Sequence, residues 1–324
     1  MTEKVVQIAK NLASIPRLSP KIEQERRASV FGMIESGKTT TLLELQTVCT
    51  DYANKANKPR SKEKFHFLVV ERTSGIRQAL GEFYQGMFPE KTPMNRVFEA
   101  DFLMRFDKMI GKQQLRLPFC ETAGETMSQL LDRFQKGQYE ISPFMQDANL
   151  IHDYILDTDA IVLIAPVTRG VGIEAEKGAA IQLPDVNLSR LLTGIYEYKT
   201  IDNTRPILGI AVFLTKYDAL RKFLETKQMD LNTQEGVHKF MSRHFPQTYN
   251  VLGWYGLDNV KFWATGVEIE TEKNEVTGEV QGKLHPMDPQ RGYKIKIDHV
   301  RGVPIFTEQP FYEFIDWLKN TVMA

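Results

Sequence analysis

The chain has 324 residues, of which 42% are hydrophobic, 10% aromatic and 25% charged, the profile of a folded soluble protein with one large domain or two small ones. Its 41 basic and 41 acidic residues cancel, so no global field recommends nucleic acid or an anionic membrane surface as a partner. Two cysteines, Cys49 and Cys120, are too few for a disulfide framework or a four-cysteine zinc site, and the longest apolar run, 160–167, is less than half a membrane span.

The first residues lack the apolar core of a signal peptide and a myristoylation glycine, and the last lack a prenylation cysteine, so the cytoplasm is the expected compartment. Val5, Val6, Ile8, Ala9, Leu12 and Ile15 recur at helical spacing, and Pro16 and Pro20 close that segment. Residues 1–26 therefore read as a helical N-terminal extension. A strand is expected over Arg27–Phe31, followed by a tight glycine-flanked turn and a helix carrying Leu42, Leu43 and Leu45. The basic run between 55 and 64 has no aromatic residue to stack on bases, which argues against a nucleic-acid role.

Further along, Phe65–Val70 reads as a strand and Gly75–Tyr84 as a short helix, together forming an insertion over 55–91. Short apolar strands follow at Phe98–Phe106, Leu115–Cys120, Ile161–Ala165, Ile207–Leu214 and Val260–Trp263, most of them separated by helical stretches. That alternation predicts an α/β fold, a mainly parallel sheet covered by helices on both faces. Residues 267–303 break the pattern with two period-two stretches, VEIETE and YKIKIDHV. Paired antiparallel, they set Glu268, Glu270 and Glu272 opposite lysines such as Lys294 and Lys296, so a β-hairpin insertion is expected before a closing helix at Pro310–Val322.

The chemistry concentrates in Gly32-Met33-Ile34-Glu35-Ser36-Gly37-Lys38-Thr39, which fits the phosphate-loop pattern G-x-x-x-x-G-K-[ST] at every fixed position. Two glycines let the backbone curl so that successive N–H groups face phosphate oxygens at the positive end of the next helix. Gly32, Glu35, Ser36, Gly37, Lys38, Thr39 and Thr40 are the expected phosphate-binding residues. Lys38 serves the β- and γ-phosphates, and the Thr39 hydroxyl ligates Mg²⁺.

Three more elements follow in order, each at the end of an expected strand: Glu121-Thr122-Ala123-Gly124-Glu125, Thr215-Lys216-Tyr217-Asp218 and Ala264-Thr265-Gly266. With the phosphate loop they resemble the ordered signature of the translation-factor and Ras/Arf-like (TRAFAC) class of P-loop GTPases, which reads G-x-x-x-x-G-K-[ST], D-x-x-G, [NT]-K-x-D and S-A-K. The resemblance spans residues 27 to 266. It implies a three-layer P-loop NTPase fold over 27–324, a guanine nucleotide (GTP or GDP), Mg²⁺, and a protein effector or regulator. Met1–Pro16 is the segment available for a homodimer contact.

A carboxylate at Asp218 can accept from guanine N1–H and from the exocyclic amine. Adenine would leave it desolvated and unpaired, at a cost on the order of 1–3 kcal/mol. By analogy with the class, the Lys216 stem lies along the base, and the backbone at Ala264 and Thr265 meets guanine O6.

The second element departs from the class. Glu121 stands where an aspartate holds Mg²⁺ through water, and Glu125 stands where Ras-like members carry the glutamine that orients attacking water. Gly124 is expected to offer its amide to the γ-phosphate, and Thr92 to close over the metal, with Thr73 as competitor. Arg72, Arg77, Arg96 or a partner would supply transition-state charge. The expected function is a Mg²⁺-dependent GTP-binding switch with slow hydrolysis, below about one turnover per second. A non-hydrolysing scaffold and an ATP-dependent phosphoryl-transfer enzyme are the alternatives.

Overall fold

The computed structural model describes residues 24–32, 36–58, 63–71, 75–89, 98–107, 112–121, 158–167, 184–201, 206–217, 224, 229–275, 278, 280–287 and 293–324. At its centre is a seven-stranded sheet: β1 (Gln24–Gly32), β2 (Lys64–Glu71), β3 (Phe98–Asp107), β4 (Lys112–Glu121), β5 (Ala160–Pro166), β6 (Gly209–Thr215) and β7 (Val260–Ala264). The spatial order is β2-β3-β4-β1-β5-β6-β7. Strands β4, β1, β5, β6 and β7 run parallel, while β3 is antiparallel to both of its neighbours. The expected mainly parallel α/β sheet is therefore present.

Every residue of β5 and of β6 is buried, as their near-continuous apolar sequences AIVLIAP and GIAVFLT require of strands covered on both faces. Alternate side chains feed two separate cores. Ala28, Val30, Val162, Ile164, Ala211 and Phe213 face one core, with Leu42 and Leu43 of α1 (Lys38–Ala56), Phe83 of α2 (Gly75–Tyr84), and Phe311 and Phe314 of α6 (Gln309–Trp317). Phe31, Ile161, Leu163, Val212 and Leu214 face the other core. There they meet Leu188 and Leu191 of α3 (Pro184–Ile201), Phe240 of α4 (Gln234–His244) and Leu252 of α5 (Pro246–Trp254). Three layers result, helices on sheet on helices.

Local chemistry marks several boundaries. Thr233 caps α4 by accepting from the Gly236 amide, and Pro246 opens α5 where its missing N–H costs nothing. Asp185, in the first turn of α3, accepts from the amides of Gln247 and Thr248 at 3.0 and 2.7 Å and so ties α3 to the start of α5.

Two segments outside the parallel core prove closely tied to it. Strand β2 extends the same sheet as its edge strand, in continuous antiparallel register with β3 from Lys64↔Asp107 to Glu71↔Ala100. In the second segment, the stretches containing Glu268–Glu270 and Lys294–Lys296 meet antiparallel at Ile269↔Ile295. Glu270 pairs with Lys294 at 2.6 Å and Glu268 with Lys296 at 3.2 Å, the expected acid–lysine apposition.

A third strand position completes each level of this ribbon, which the two-strand expectation lacked. Backbone bonds run Glu268 N–H to Ile305, Ile305 N–H to Lys296 and Lys296 N–H back to Glu268, a closed triangle. A second triangle joins Glu270, Lys294 and Lys283. Ile295 is fully buried in this column, and its amide donates to Gly86 O at 2.8 Å, just beyond α2.

Candidate nucleotide-binding site

The carboxyl ends of the parallel strands are level with one another. Gly32 pairs with Ile164, Ala165 with Leu214, and Leu214 with Ala264, so β1, β5, β6 and β7 all finish at one edge of the sheet. Chain direction across the sheet reverses beside β1, because β4 lies on one side of it and β5 on the other. Open α/β sheets bind ligands in the crevice formed at such a reversal.

The expected phosphate loop leaves β1 at Gly32 and enters α1 at Lys38. Gly37 takes φ +87°, a left-handed conformation that places it as the cap of α1 without a side-chain bond to the helix. The first intrahelical bond runs from Thr41 N–H to Gly37 O at 2.9 Å. Amides of the first turn therefore have no acceptor within the helix, and they share the positive end of a 19-residue dipole. Such a helix end has the charge and donor arrangement that an anion can use.

Lys38 is only 9% exposed, and its Nζ donates to Gly32 O at 2.9 Å, which folds the cation back over the start of the loop. Gly32 itself has no room for a side chain, since an added Cβ would stand 2.7 Å from Ser36 Oγ and 3.0 Å from Ile164 O. A buried cation beside a helix end suits a polyphosphate. Thr39, also 9% exposed, presents a hard hydroxyl oxygen of the kind Mg²⁺ accepts, and Thr40 follows half-buried in the same turn.

The element Thr215-Lys216-Tyr217 is held against this loop. Thr215 Oγ1 donates to Ser36 O at 2.6 Å, with both residues buried. Lys216 adopts φ +62°, and among the described residues no other non-glycine residue has a positive φ. Left-handed backbone at a lysine costs on the order of 1–2 kcal/mol, and such strain gathers at functional positions.

The third element closes the group. Thr265 N–H donates to Leu214 O at 2.9 Å, and Tyr217 N–H donates to Thr265 O at 3.3 Å, so the loops after β6 and β7 are stitched together just beyond Ala264. Thr265 Oγ1 donates to Glu44 Oε2 at 3.2 Å.

Several expected site residues lie outside the described residues: Glu35, Thr73, Thr92, Gly124, Glu125, Asp218, Arg72 and Arg96, together with the segment 1–23. Glu121 is the last residue of β4, paired through its backbone with Phe98. Arg77 lies on α2 and pairs with Glu71 at 3.4 Å, three strands away from β1. His238 packs edge-on against Phe262, and His244 lies against Phe240. Among the described residues no cluster of His, Cys, Asp or Glu forms a metal centre, and no helix is long and apolar enough to cross a membrane.

Sequence reasoning passed over Glu44. It sits among Leu42, Leu43 and Leu45 on α1 and is 1% exposed. A lone acid within the apolar part of an otherwise core-facing helix was the available signal.

No protein-family model matches the chain, and no curated protein matches it. Among solved structures the chain is similar to sup35 complexed with GDP, at 11% identity and a TM-score of 0.29, over 78% of this chain and 40% of that one. It is similar to sup35 complexed with GMPPNP at 11% identity and a TM-score of 0.30, over 79% and 41%. A third similarity is to the signal recognition particle receptor SRb-GTP/SRX complex from Chaetomium thermophilum, at 9% identity and a TM-score of 0.30, over 74% of this chain and 93% of that one. The chain thus spans about two-fifths of the length of the sup35 chains.

Proposed function

We propose that this protein binds GTP and GDP with Mg²⁺ and acts as a P-loop GTPase of slow intrinsic turnover, changing a partner-facing surface with nucleotide state. The observation that supports this reading is the 2.6 Å hydrogen bond from Thr215 Oγ1 to Ser36 O, which joins the turn after β6 to the residue just before α1. A nucleotide bound there would have its phosphates at the start of α1 and its base beside the loops after β6 and β7. Lys38 and the first-turn amides would neutralise phosphate charge, and the Gly37 conformation keeps backbone and phosphate close. Thr39 would hold the metal, with Thr92 and Glu121 as its further partners in this reading.

Guanine selectivity would rest on Asp218, next but one after strained Lys216, and on the backbone at Ala264 and Thr265. In hydrolysis Gly124 would hold the γ-phosphate and Glu125 would face the attacking water, where a carboxylate beside phosphate is repelled. That repulsion supports a turnover below about one per second. A metal ion held there by Thr39 would supply charge neutralisation at the phosphates.

Titration with fluorescent GDP, GTP and ATP tests the reading, with tight guanine-nucleotide binding and weak ATP binding expected. In Asp218→Asn, guanine binding should fall and xanthine nucleotides should be relatively favoured, because the new amide donates to the xanthine C2 carbonyl. Unchanged GTP affinity in that variant would remove the base assignment.

A further inference from the structure

The helix that begins at the phosphate loop also reaches the loop after β7, through one buried side chain. Glu44 lies six residues beyond Lys38 on α1, 1% exposed, and its Oε2 accepts from Thr265 Oγ1 at 3.2 Å, where Thr265 is also 1% exposed. Thr265 in turn is fastened by backbone bonds to Leu214 and Tyr217, on either side of Thr215 and Lys216. A route of direct contacts therefore runs from Ser36 through Thr215 to the turn after β6, across to Thr265, and back through Glu44 to the helix that holds the phosphate loop.

Core packing does not explain an acid at this position. Leu42, Leu43 and Leu45 satisfy the apolar demand of the helix, and a carboxylate withdrawn from water is expensive unless polar partners compensate it. A hydrophobic residue would pack there at lower cost. Glu44 adds a directional bond with the Thr265 hydroxyl, which sets where the 264–266 loop stands relative to α1.

We infer that Glu44 is a positioning residue for nucleotide selectivity: through Thr265 it holds the base-facing loop in register with the phosphate loop. This rests on the guanine-nucleotide reading above, and it assigns Glu44 no contact with the ligand. Its loss lets the 264–266 loop drift, so the base is held less well while phosphate binding persists.

A double-mutant cycle in the full chain tests it, using Glu44→Ala, Thr265→Val and both together, with fluorescent GDP and ADP as probes. Each single change should weaken GDP binding about tenfold and leave ADP binding within about twofold, so that selectivity collapses. The double variant should be no more than about twofold worse than the weaker single, because both changes cut the same link. Glu44→Gln, which retains an acceptor, should recover most of the affinity.

Thermal midpoints of the nucleotide-free variants, measured alongside, identify any variant that fails to fold. In that event the cycle is run with Met in place of Ala, which fills the space of the glutamate and removes the acceptor. Additive losses, or equal losses for GDP and ADP, overturn the inference. Failure of the unsubstituted chain to bind GDP would instead overturn the functional reading beneath it.

Discussion

Thr215 and Ser36 lie 179 positions apart in the chain, yet the threonine hydroxyl donates to the serine carbonyl at 2.6 Å in a buried setting. Replacing Thr215 with Val keeps the shape and leaves that carbonyl without its side-chain donor. The expected cost is about 1–3 kcal/mol of stability, the price of an unmet buried acceptor. Urea unfolding measures it, and GDP titration should show a parallel loss of affinity. A stability equal to that of the unsubstituted chain would mean that the loop and the turn are held together by something else.

Lys216 carries backbone strain that glycine would not feel. Lys216→Gly should relieve about 1–2 kcal/mol of left-handed strain against an entropic penalty of about 0.5–1 kcal/mol, so the net effect is a small gain in stability. In the proposed reading the lysine stem lies along the base, so nucleotide affinity should fall in the same variant. Gains in both properties together would argue against a binding role for this turn.

Gly86 and Gly81 make a matched pair for the docking of the charged β column. Gly86 has φ +83°, and an added Cβ would stand 2.9 Å from Ile295 O, whereas nothing lies within 4 Å of a Cβ at Gly81. Gly86→Ala should destabilise the protein by about 2 kcal/mol or more from left-handed strain and the crowded Ile295 contact. Gly81→Ala, in a helix interior, should stabilise it by about 0.5–1 kcal/mol. Thermal melts of the two variants should therefore shift in opposite directions.

Acid should loosen the column through Glu270. Its hydrogen bond with Lys294, helped by Lys283, holds the carboxyl below its ordinary range. A depressed carboxyl contributes stability that is fully present above its unfolded value and is lost as pH falls below that value and through the lower, folded one. Glu270→Gln should remove that portion of the acid sensitivity while leaving a small deficit at neutral pH. Coincident pH–stability profiles for the two proteins would show that the pair contributes nothing to folding, as many exposed pairs do.

Much of this architecture could be read from periodicity. Strands β5 and β6 announce themselves as unbroken apolar runs because strands covered on both faces have no solvent side to mark with polar residues. The acid–lysine alternation of Glu268 and Glu270 with Lys294 and Lys296 likewise reads directly, since antiparallel pairing brings matching parity to one face. Harder to see was the third strand position. Lys283 and Ile305 complete backbone triangles, and backbone groups carry no residue code.

By itself, the order of residues determined the local chemistry: a glycine-flanked turn before a helix, a lysine at its start, threonines where strands end. Those properties depend on neighbours within a few bonds. Tertiary structure alone decided that Thr215 meets Ser36 and that Thr265 meets Glu44, 221 positions away. Such contacts follow from which strands lie side by side and where each one stops, and that arrangement is set by packing two cores against one sheet.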